Sequence, residues 1–177
     1  MEPNRSLVIV EDDAIFARTL QRSFERRGYR AWRARTPEEL AEVLQVHSPN
    51  HAVVDLKLGT TSGLACVQTL HAHDPTMRIV VLTGFASIAT AVEAIKLGAC
   101  HYLAKPSNTD DIEAAFGKSA GDTRVRISDR PTSIKTLEWE TINETLADAG
   151  FNISETARRL GMHRRTLARK LGKRQVS

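Results

Sequence analysis

Short apolar runs alternate along the chain with segments in which apolar residues recur every three or four positions. The apolar runs lack strict alternation and are bounded by polar or turn residues, which predicts buried strands. They cover residues 7–10, 29–34, 52–54, 79–82 and 101–104. The segments between and after them predict five amphipathic helices. The pattern predicts a doubly wound α/β domain, a five-stranded parallel sheet with helices on both faces.

Start and stop signals support these helices. Thr36–Glu39 has the sequence of a capping box, with Pro37 at the first helical position. Gly28 and Gly98 stand where C-terminal glycine caps belong.

A second, smaller unit follows a segment rich in polar and helix-breaking residues. We expect the α/β domain to cover residues 1–118 and a linker to cover 119–133, with a short extended piece at 125–127. The apolar spacing in residues 134–177 predicts three helices. One begins at Ile134, one follows the capping-box sequence Asn152–Glu155, and one covers His163–Leu171. The turn at Gly161 between the last two is typical of a helix-turn-helix.

Charge is distributed unevenly over the 177 residues. Residues 121–177 hold 12 basic and 7 acidic side chains, whereas the remainder holds 13 and 14. After Glu155 every charged side chain is basic. Such a terminus favours a polyanionic partner, nucleic acid before membrane.

Composition excludes several classes. With 41% hydrophobic and 26% charged residues the chain fits a globular protein and not a disordered one. Its two cysteines, in no CxxC pair, exclude a disulfide scaffold or zinc knuckle. No apolar run approaches the ~18 residues of a membrane span. The first residues lack a secretory signal, so we expect a cytoplasmic protein without membrane association.

Polar residues with complementary chemistry follow the predicted strands. In parallel α/β sheets, ligands bind beyond the carboxyl ends of the strands. Those ends carry Glu11, Asp12, Asp55, Thr83 and Lys105. Each alone is typical of turn or capping chemistry, but five at corresponding ends favour a shared site. Carboxylate oxygens suit Mg²⁺, and a carboxylate is also a nucleophile that can form an aspartyl phosphate.

The basic helix-turn-helix indicates DNA recognition. His163, Arg164 and Thr166 occupy the start of the last helix, where recognition helices meet base edges. Arg165 and Arg169 fall on the face opposite Leu167. We expect Lys170, Lys173 and Arg174 to touch phosphates. A small helical hairpin with a solvated basic face is the alternative.

The first 120 residues resemble a response-regulator receiver domain, which has a flavodoxin-like fold. The matching motifs are Val10-Glu11-Asp12, Val54-Asp55-Leu56-Lys57, Leu82-Thr83-Gly84 and Tyr102-Leu103-Ala104-Lys105-Pro106. The resemblance implies that Asp55 is the phosphoacceptor. It implies Mg²⁺ bound by Asp12, Asp55 and the Lys57 carbonyl, with Glu11 acting through water. It also implies that Thr83 and Tyr102 report phosphorylation, and that the Lys105–Pro106 bond is cis.

Residues 152–171 resemble a Fis-type helix-turn-helix and, more narrowly, the output domain of the RegA/PrrA/ActR/RoxR regulators of proteobacteria. Residues 83–99 and Trp139 match the same group. The resemblance implies a partner sensor histidine kinase and promoters of redox, respiratory or energy-metabolism genes. We expect a homodimer on phosphorylation or on DNA. Cys66 and Cys100 are interpreted as small core side chains rather than redox sensors.

Two other functions remain open at this point. The basic tail could dock to a protein partner and never read DNA, and steep salt dependence of DNA affinity would discriminate between the two. A phosphatase or haloacid-type hydrolase is a weaker hypothesis, because the sequence offers no positioned general base for turnover. We therefore predict a regulator and not an enzyme.

Overall fold

The structure is a computed structural model that describes residues 5–84, 86–118 and 134–175. The predicted linker, residues 119–133, and its extended piece lie outside the described residues. So do the side chains of Lys173 and Arg174. Among the residues that the structure describes, no helix has the length and apolarity needed to cross a bilayer.

The first domain alternates strands and helices in the predicted order. Its elements are β1 (Ser6–Val10), α1 (Ala14–Glu25), β2 (Arg30–Ala34), α2 (Pro37–Val46), β3 (His51–Val54), β4 (Lys57–Leu58), β5 (Thr61–Ser62), α3 (Leu64–His73), β6 (Arg78–Thr83), α4 (Ile88–Lys96), β7 (His101–Ala104) and α5 (Thr109–Phe116). Helix α5 ends at Phe116, close to the boundary expected at residue 118.

Five of these strands form one parallel sheet in the order β2-β1-β3-β6-β7. Val10 pairs with Val54, and Val54 pairs with Val81. Thr83, the last residue of β6, pairs with Ala104. This register brings the carboxyl ends of the four neighbouring strands β1, β3, β6 and β7 to one edge of the sheet. The predicted fold class is confirmed.

Buried apolar side chains cover both faces of the sheet. One face packs Leu7 and Ile9 against Phe24 of α1 and Ile112 of α5. The other packs Val8 and Val10, with side chains of α2 and α3, in a second cluster. Full burial of such side chains contributes about 1.5–3 kcal/mol each. The strand ends therefore rest on a rigid, close-packed support.

The helix caps are partly as predicted. Thr36 caps α2, because its hydroxyl accepts from the Glu39 N–H at 3.2 Å. The Glu39 carboxylate accepts from the N–H of Arg35 at 2.8 Å, one residue before the N-cap. Its charge also attracts the Arg35 guanidinium, which lies 3.0 Å away. The structure confirms Thr36 as the N-cap. The prediction of a full capping box is wrong in one respect, because the Glu39 carboxylate accepts from the N–H of Arg35 in place of the N–H of Thr36.

A short antiparallel hairpin follows β3 and was not predicted. Lys57 pairs with Ser62 and Leu58 with Thr61. The turn is made at Gly59, whose φ of 61° is in the left-handed region that favours glycine. Strands of two residues are too short to leave a hydrophobic period in the sequence.

The second domain consists of α6 (Ile134–Asp148), α7 (Ile153–Arg159) and α8 (Arg164–Gln175). Their common core includes Ile142, Leu146, Leu167 and Leu171, all buried. Gly161 has a φ of 62° and makes the turn between α7 and α8. Helix α6 also contacts α4 of the first domain. The predicted helical domain with a glycine turn is confirmed.

Candidate functional site

Three carboxylates lie together at the carboxyl edge of the sheet. Glu11 and Asp12 follow β1 and Asp55 follows β3, and each supplies an oxygen within 4.8 Å of the others. Glu11 and Asp55 are buried, whereas Asp12 is exposed. The structure thus brings together the acids that the sequence assigned to one site.

Lys105 completes the cluster from the end of β7. Its Nζ donates to Glu11 Oε2 at 2.6 Å and to Asp55 Oδ2 at 3.0 Å. The Lys105–Pro106 peptide is cis, as the resemblance implied. Residues 94 and 50 positions apart along the chain therefore meet in one ion-paired group.

Burial dominates the electrostatics of Glu11. Loss of solvent, with repulsion from Asp55, raises the pKa of Glu11 to about 7, although Lys105 acts in the opposite direction. Burial by itself lowers the pKa of Lys105, but Asp55 and Glu11 outweigh it and the net pKa is raised. One ammonium thus faces three acidic groups, and a further cation would relieve the repulsion between them.

The donor set fits a hard divalent cation. Carboxylate oxygens are ligands that Mg²⁺ prefers, and Mg²⁺ usually combines one or two carboxylates with waters and a phosphate oxygen. Glu11, Asp12 and Asp55 line a cavity of about 310 Å³ together with Lys57, Gly84 and Lys105. The cavity has room for a phosphoryl group beside the cation.

Backbone groups orient the two aspartates. Asp55 Oδ1 accepts from the Lys57 N–H at 3.2 Å, and Asp12 Oδ2 accepts from the Gly59 N–H at 2.9 Å. A Cβ at Gly63 would lie 2.0 Å from the carbonyl oxygen of Asp55, so only glycine allows this close approach. Gly59 and Gly63 were not predicted as site residues, although two glycines shortly after Asp55 were a visible signal.

Phe16 was also missed. It lines the cavity, and the Lys105 ammonium lies 4.4 Å from the centroid of its ring, a distance typical of cation–π contacts. In the sequence, Phe16 is indistinguishable from the apolar core positions of α1.

The two residues expected to report phosphorylation lie beside the site. Thr83 is completely buried at the end of β6. Tyr102, on the neighbouring β7, is partly buried, and its hydroxyl lies 2.8 Å from Thr90 Oγ1 on α4. Burial raises the pKa of Tyr102, so its hydroxyl is neutral at physiological pH.

A second candidate site lies on α8. His163, Arg164, Arg165 and Arg169 are exposed at or near the start of this helix, and Thr166 is partly buried. Leu167 on the opposite face has no exposed surface. Among the residues that the structure describes, these three arginines have no carboxylate within ion-pair distance.

Three other basic side chains of the same domain are paired with acids. Lys170 Nζ donates to Glu138 Oε1 at 2.7 Å and joins α8 to α6. Arg158 and Arg159 both donate to Glu155. Hydrogen bonds from these two arginines lower the pKa of Glu155 to about 2. Lys170, predicted to touch phosphate, therefore has a structural partner within the domain.

Both cysteines are free thiols in apolar surroundings. Cys66 is buried, and loss of solvent raises its pKa to about 11. Cys100 is partly buried, with its Sγ 3.8 Å from the Ala115 carbonyl oxygen. A raised pKa disfavours the reactive thiolate, which agrees with the interpretation of both as core side chains.

Family comparisons match both parts of the chain. Residues 7–116 match the response regulator receiver domain family, and residues 133–173 match a family described as bacterial regulatory protein, Fis family.

Similar proteins and structures extend over nearly the whole chain. The acid tolerance regulatory protein ActR of Sinorhizobium medicae is 45% identical over 97% of this chain and 88% of its own. The photosynthetic apparatus regulatory protein RegA of Rhodobacter capsulatus is 43% identical over 97% and 92%. A crystal structure of a response regulator from Burkholderia pseudomallei is 43% identical, with a TM-score of 0.67, covering 93% of this chain and 97% of that one. That structure contains a phosphorylated aspartic acid and a calcium ion.

Proposed function

Because the chain belongs to the response-regulator family, with a receiver domain and a Fis-type helix-turn-helix, we propose that phosphorylation of Asp55 controls its binding to DNA. The relatives ActR and RegA are named as regulatory proteins, and the assignment as a transcriptional regulator rests on the same family membership. Asp55 as phosphoacceptor, the metal ligands and the DNA contacts are the parts that we propose.

The observation that carries the proposal is the position of Asp55. Its carboxylate accepts from the Lys105 ammonium, lies beside Glu11 and Asp12, and lines a cavity of about 310 Å³. Asp12 is exposed and held by Gly59, which suits a metal ligand better than a nucleophile. The similar Burkholderia pseudomallei structure has a phosphorylated aspartic acid and therefore supports this chemistry.

In the proposed reaction Asp55 is the nucleophile. A carboxylate oxygen of Asp55 attacks the phosphorus of a phosphohistidine on the kinase, a P–O bond forms, and the P–N bond breaks. The imidazole nitrogen keeps the bonding electron pair. Lys105, whose Nζ lies 3.0 Å from Asp55 Oδ2, neutralises charge on the phosphoryl oxygens. In this proposal the Thr83 hydroxyl donates to one of them. Mg²⁺, when held by Asp12, Asp55 and the Lys57 carbonyl, with Glu11 acting through water, supplies further neutralisation.

We propose that the added charge then changes the α4 surface. Recruitment of Thr83 and Lys105 to the phosphoryl group alters the position of Tyr102 and shifts the population toward a dimer. Ile88, Val92 and Ile95 form an exposed apolar stripe on α4 that a dimer would bury. Paired output domains would then meet two half-sites in successive major grooves.

The proposed DNA contact rests on the arginines of α8 that have no carboxylate partner among the residues that the structure describes. Arg164 and Arg165 project from the first turn of this helix, where a recognition helix meets base edges. The alternative is that the basic domain binds a protein partner. In that case the chain would show no preference between DNA sequences.

We base the proposed partners and regulon on the similarity to the relatives. We infer a sensor histidine kinase as the phosphodonor and the cytoplasm as the site of action. The relatives are named for the photosynthetic apparatus and for acid tolerance. We propose target promoters of redox, respiratory or energy-metabolism genes. We also infer that the chain works as a stoichiometric switch and not as an enzyme.

Phosphorylation by a small-molecule donor tests the assignment of Asp55. The full chain is incubated with phosphoramidate and Mg²⁺, and intact mass is measured with and without a chelator. We expect a mass increase of one phosphoryl group that Asp55→Ala abolishes and the chelator suppresses. Glu42→Ala, an exposed acid outside the cavity, is the control and should leave it unchanged. Phosphorylation of the Asp55→Ala protein at the same rate would overturn the assignment.

A further inference from the structure

A basic cavity of about 280 Å³ lies beside the acidic one. Its lining combines three arginines and one acid with two alanines at the start of α1: Ala14, Ala17, Arg18, Arg33, Arg35 and Glu39. Arg35 is paired, because its Nη2 lies 3.0 Å from Glu39 Oε1. Arg18 and Arg33 are exposed, and neither has a carboxylate within ion-pair distance among the residues that the structure describes. The basic cavity therefore carries a net positive charge.

The start of α1 lies between the two cavities. Phe16 lines the acidic cavity, and Arg18, two residues later, lines the basic one. The strands place the two cavities at the same edge of the sheet. The Glu11 N–H at the end of β1 donates to the Ala34 carbonyl oxygen of β2 at 3.0 Å, and Arg35 follows Ala34. The arginines are thus neighbours of the proposed phosphorylation site.

These arginines belong to a strongly basic stretch of a domain whose charges otherwise balance. Residues 14–37 hold seven arginines and one acid, Glu25, so they contain more than half of the 13 basic side chains of residues 1–120. Positive charge concentrated on one surface creates a potential that extends over its surroundings and attracts anions.

The acidic cavity needs such compensation. Small phosphodonors are anions, and the three carboxylates around Asp55 repel them, whereas Lys105 supplies only one positive charge. A cleft lined by one sign of charge raises the local concentration of substrates of the opposite sign and the rate at which they arrive. Guanidinium groups also donate paired hydrogen bonds to phosphate oxygens.

We propose that Arg18 and Arg33 form an anion entrance, which draws small phosphodonors of high negative charge, such as acyl phosphates, toward Asp55. This inference rests on the proposed function and adds two residues that discriminate between donors by their charge. With acetyl phosphate, a P–O bond to Asp55 forms, the P–O bond to the acetyl group breaks, and acetate leaves with the electron pair. Arg18 and Arg33 act on the approach of the donor and not on this transfer.

The test compares two small donors of different charge, neither of which requires a docked protein. At neutral pH acetyl phosphate is doubly negative and phosphoramidate is singly negative. The phosphorylation rate of the full chain, with Mg²⁺ and each donor below saturation, is followed by intact mass in about 0.1 M salt. We expect Arg18→Gln and Arg33→Gln to slow the reaction with acetyl phosphate by roughly two- to five-fold each, and that with phosphoramidate by less. In about 1 M salt, where the Debye length is about 3 Å, both variants should match the unaltered chain.

Two control variants separate charge from other effects of substitution. Arg26→Gln removes an exposed arginine about 12 Å further along α1, beyond the Debye length of about 10 Å in 0.1 M salt, and should change neither rate. Arg18→Lys keeps the positive charge and should keep the rate with acetyl phosphate.

Binding of a cation gives a second readout with the opposite sign. Loss of a neighbouring positive charge should strengthen the binding of Mn²⁺, a paramagnetic substitute for Mg²⁺ that electron paramagnetic resonance detects. A variant with a damaged site would instead bind Mn²⁺ more weakly and react more slowly with both donors.

Equal slowing with both donors at every salt concentration, with weaker binding of Mn²⁺, would overturn the anion entrance, as would unchanged rates in both variants. Failure of the proposed function looks different. In that case the unaltered chain would take up no phosphoryl group and would not respond to beryllofluoride, a mimic of the phosphoryl group on Asp55, or the Asp55→Ala chain would respond as well.

Discussion

The acidic site of the receiver and the basic face of α8 use charge in opposite ways. In the receiver, Lys105 bridges Glu11 and Asp55, and the cluster is ion-paired within the domain. On α8, Arg164, Arg165 and Arg169 have no carboxylate partner among the described residues, although Glu155 and Glu138 pair with their neighbours. The first site is already ion-paired within the domain, as the proposed acceptance of a small phosphoryl group requires. The second presents positive charge to the outside, as the proposed contact with DNA requires.

The two regions also differ in their support. The receiver site stands on a five-stranded sheet covered on both faces, whereas α8 rests on a few apolar side chains of a three-helix domain. Small domains bury a smaller fraction of their surface and are accordingly marginal in stability. We expect single substitutions to affect the two regions very differently.

Of the substitutions considered, Leu167→Ala should separate the stabilities of the two domains most strongly. Leu167 is fully buried between the helices of the output domain, and such truncations cost about 2–5 kcal/mol. The output domain should unfold while the receiver stays folded. Trp139 reports on the output domain and Trp32 on the receiver, so a Trp32→Phe background isolates the output signal in urea unfolding.

Arg165→Ala, an exposed change on the same helix, is the matched control. It should alter stability by less than about 0.5 kcal/mol. If both domains of Leu167→Ala unfolded at the same urea concentration, they would depend on each other for folding. That result would contradict the expected difference in stability between the two domains.

The sequence predicted features that leave a repeating pattern along the chain and missed those that do not. The alternation of apolar runs and amphipathic segments predicted the sheet, and the position of each acid after a strand predicted its convergence with Lys105. Contacts between side chains of different elements leave no period in the sequence. The ring of Phe16 beneath Lys105 and the Thr90–Tyr102 bond were therefore missed. The Lys170–Glu138 pair was missed for the same reason.

We expect the second largest effect from Arg164→Ala, on DNA affinity. This substitution tests whether α8 reads the base sequence. Loss of a base-edge contact should cost about 1–3 kcal/mol on a preferred duplex and less on a random one. The measurement is a fluorescence anisotropy titration of both duplexes at several salt concentrations.

Lys170→Ala is a suitable control because its charge is already neutralised by Glu138. It should weaken binding to both duplexes to a similar, small extent. If Arg164→Ala also weakened both equally, α8 would not be reading sequence.

We expect the smallest effect on stability from lowering the pH. Hydrogen bonds from Arg158 and Arg159 lower the pKa of Glu155 from 4.5 to about 2. A lowered folded-state pKa contributes stability that is present above the unfolded value and lost as the pH falls toward the folded one. The output domain should therefore lose a small stabilisation between pH 4.5 and 2 that Glu155→Gln lacks. Titration of the Glu155 carboxyl carbon by NMR with a midpoint near 4.5 would contradict this.

The central claim is that modification of Asp55 strengthens sequence-dependent DNA binding by α8. It is tested most directly by titrating the full chain onto promoter-derived and random duplexes, with and without Mg²⁺ and beryllofluoride. We predict a several-fold tightening that favours one duplex, requires both reagents and disappears in Asp55→Ala. Binding that is equal on all duplexes, or unchanged by beryllofluoride, would contradict the claim.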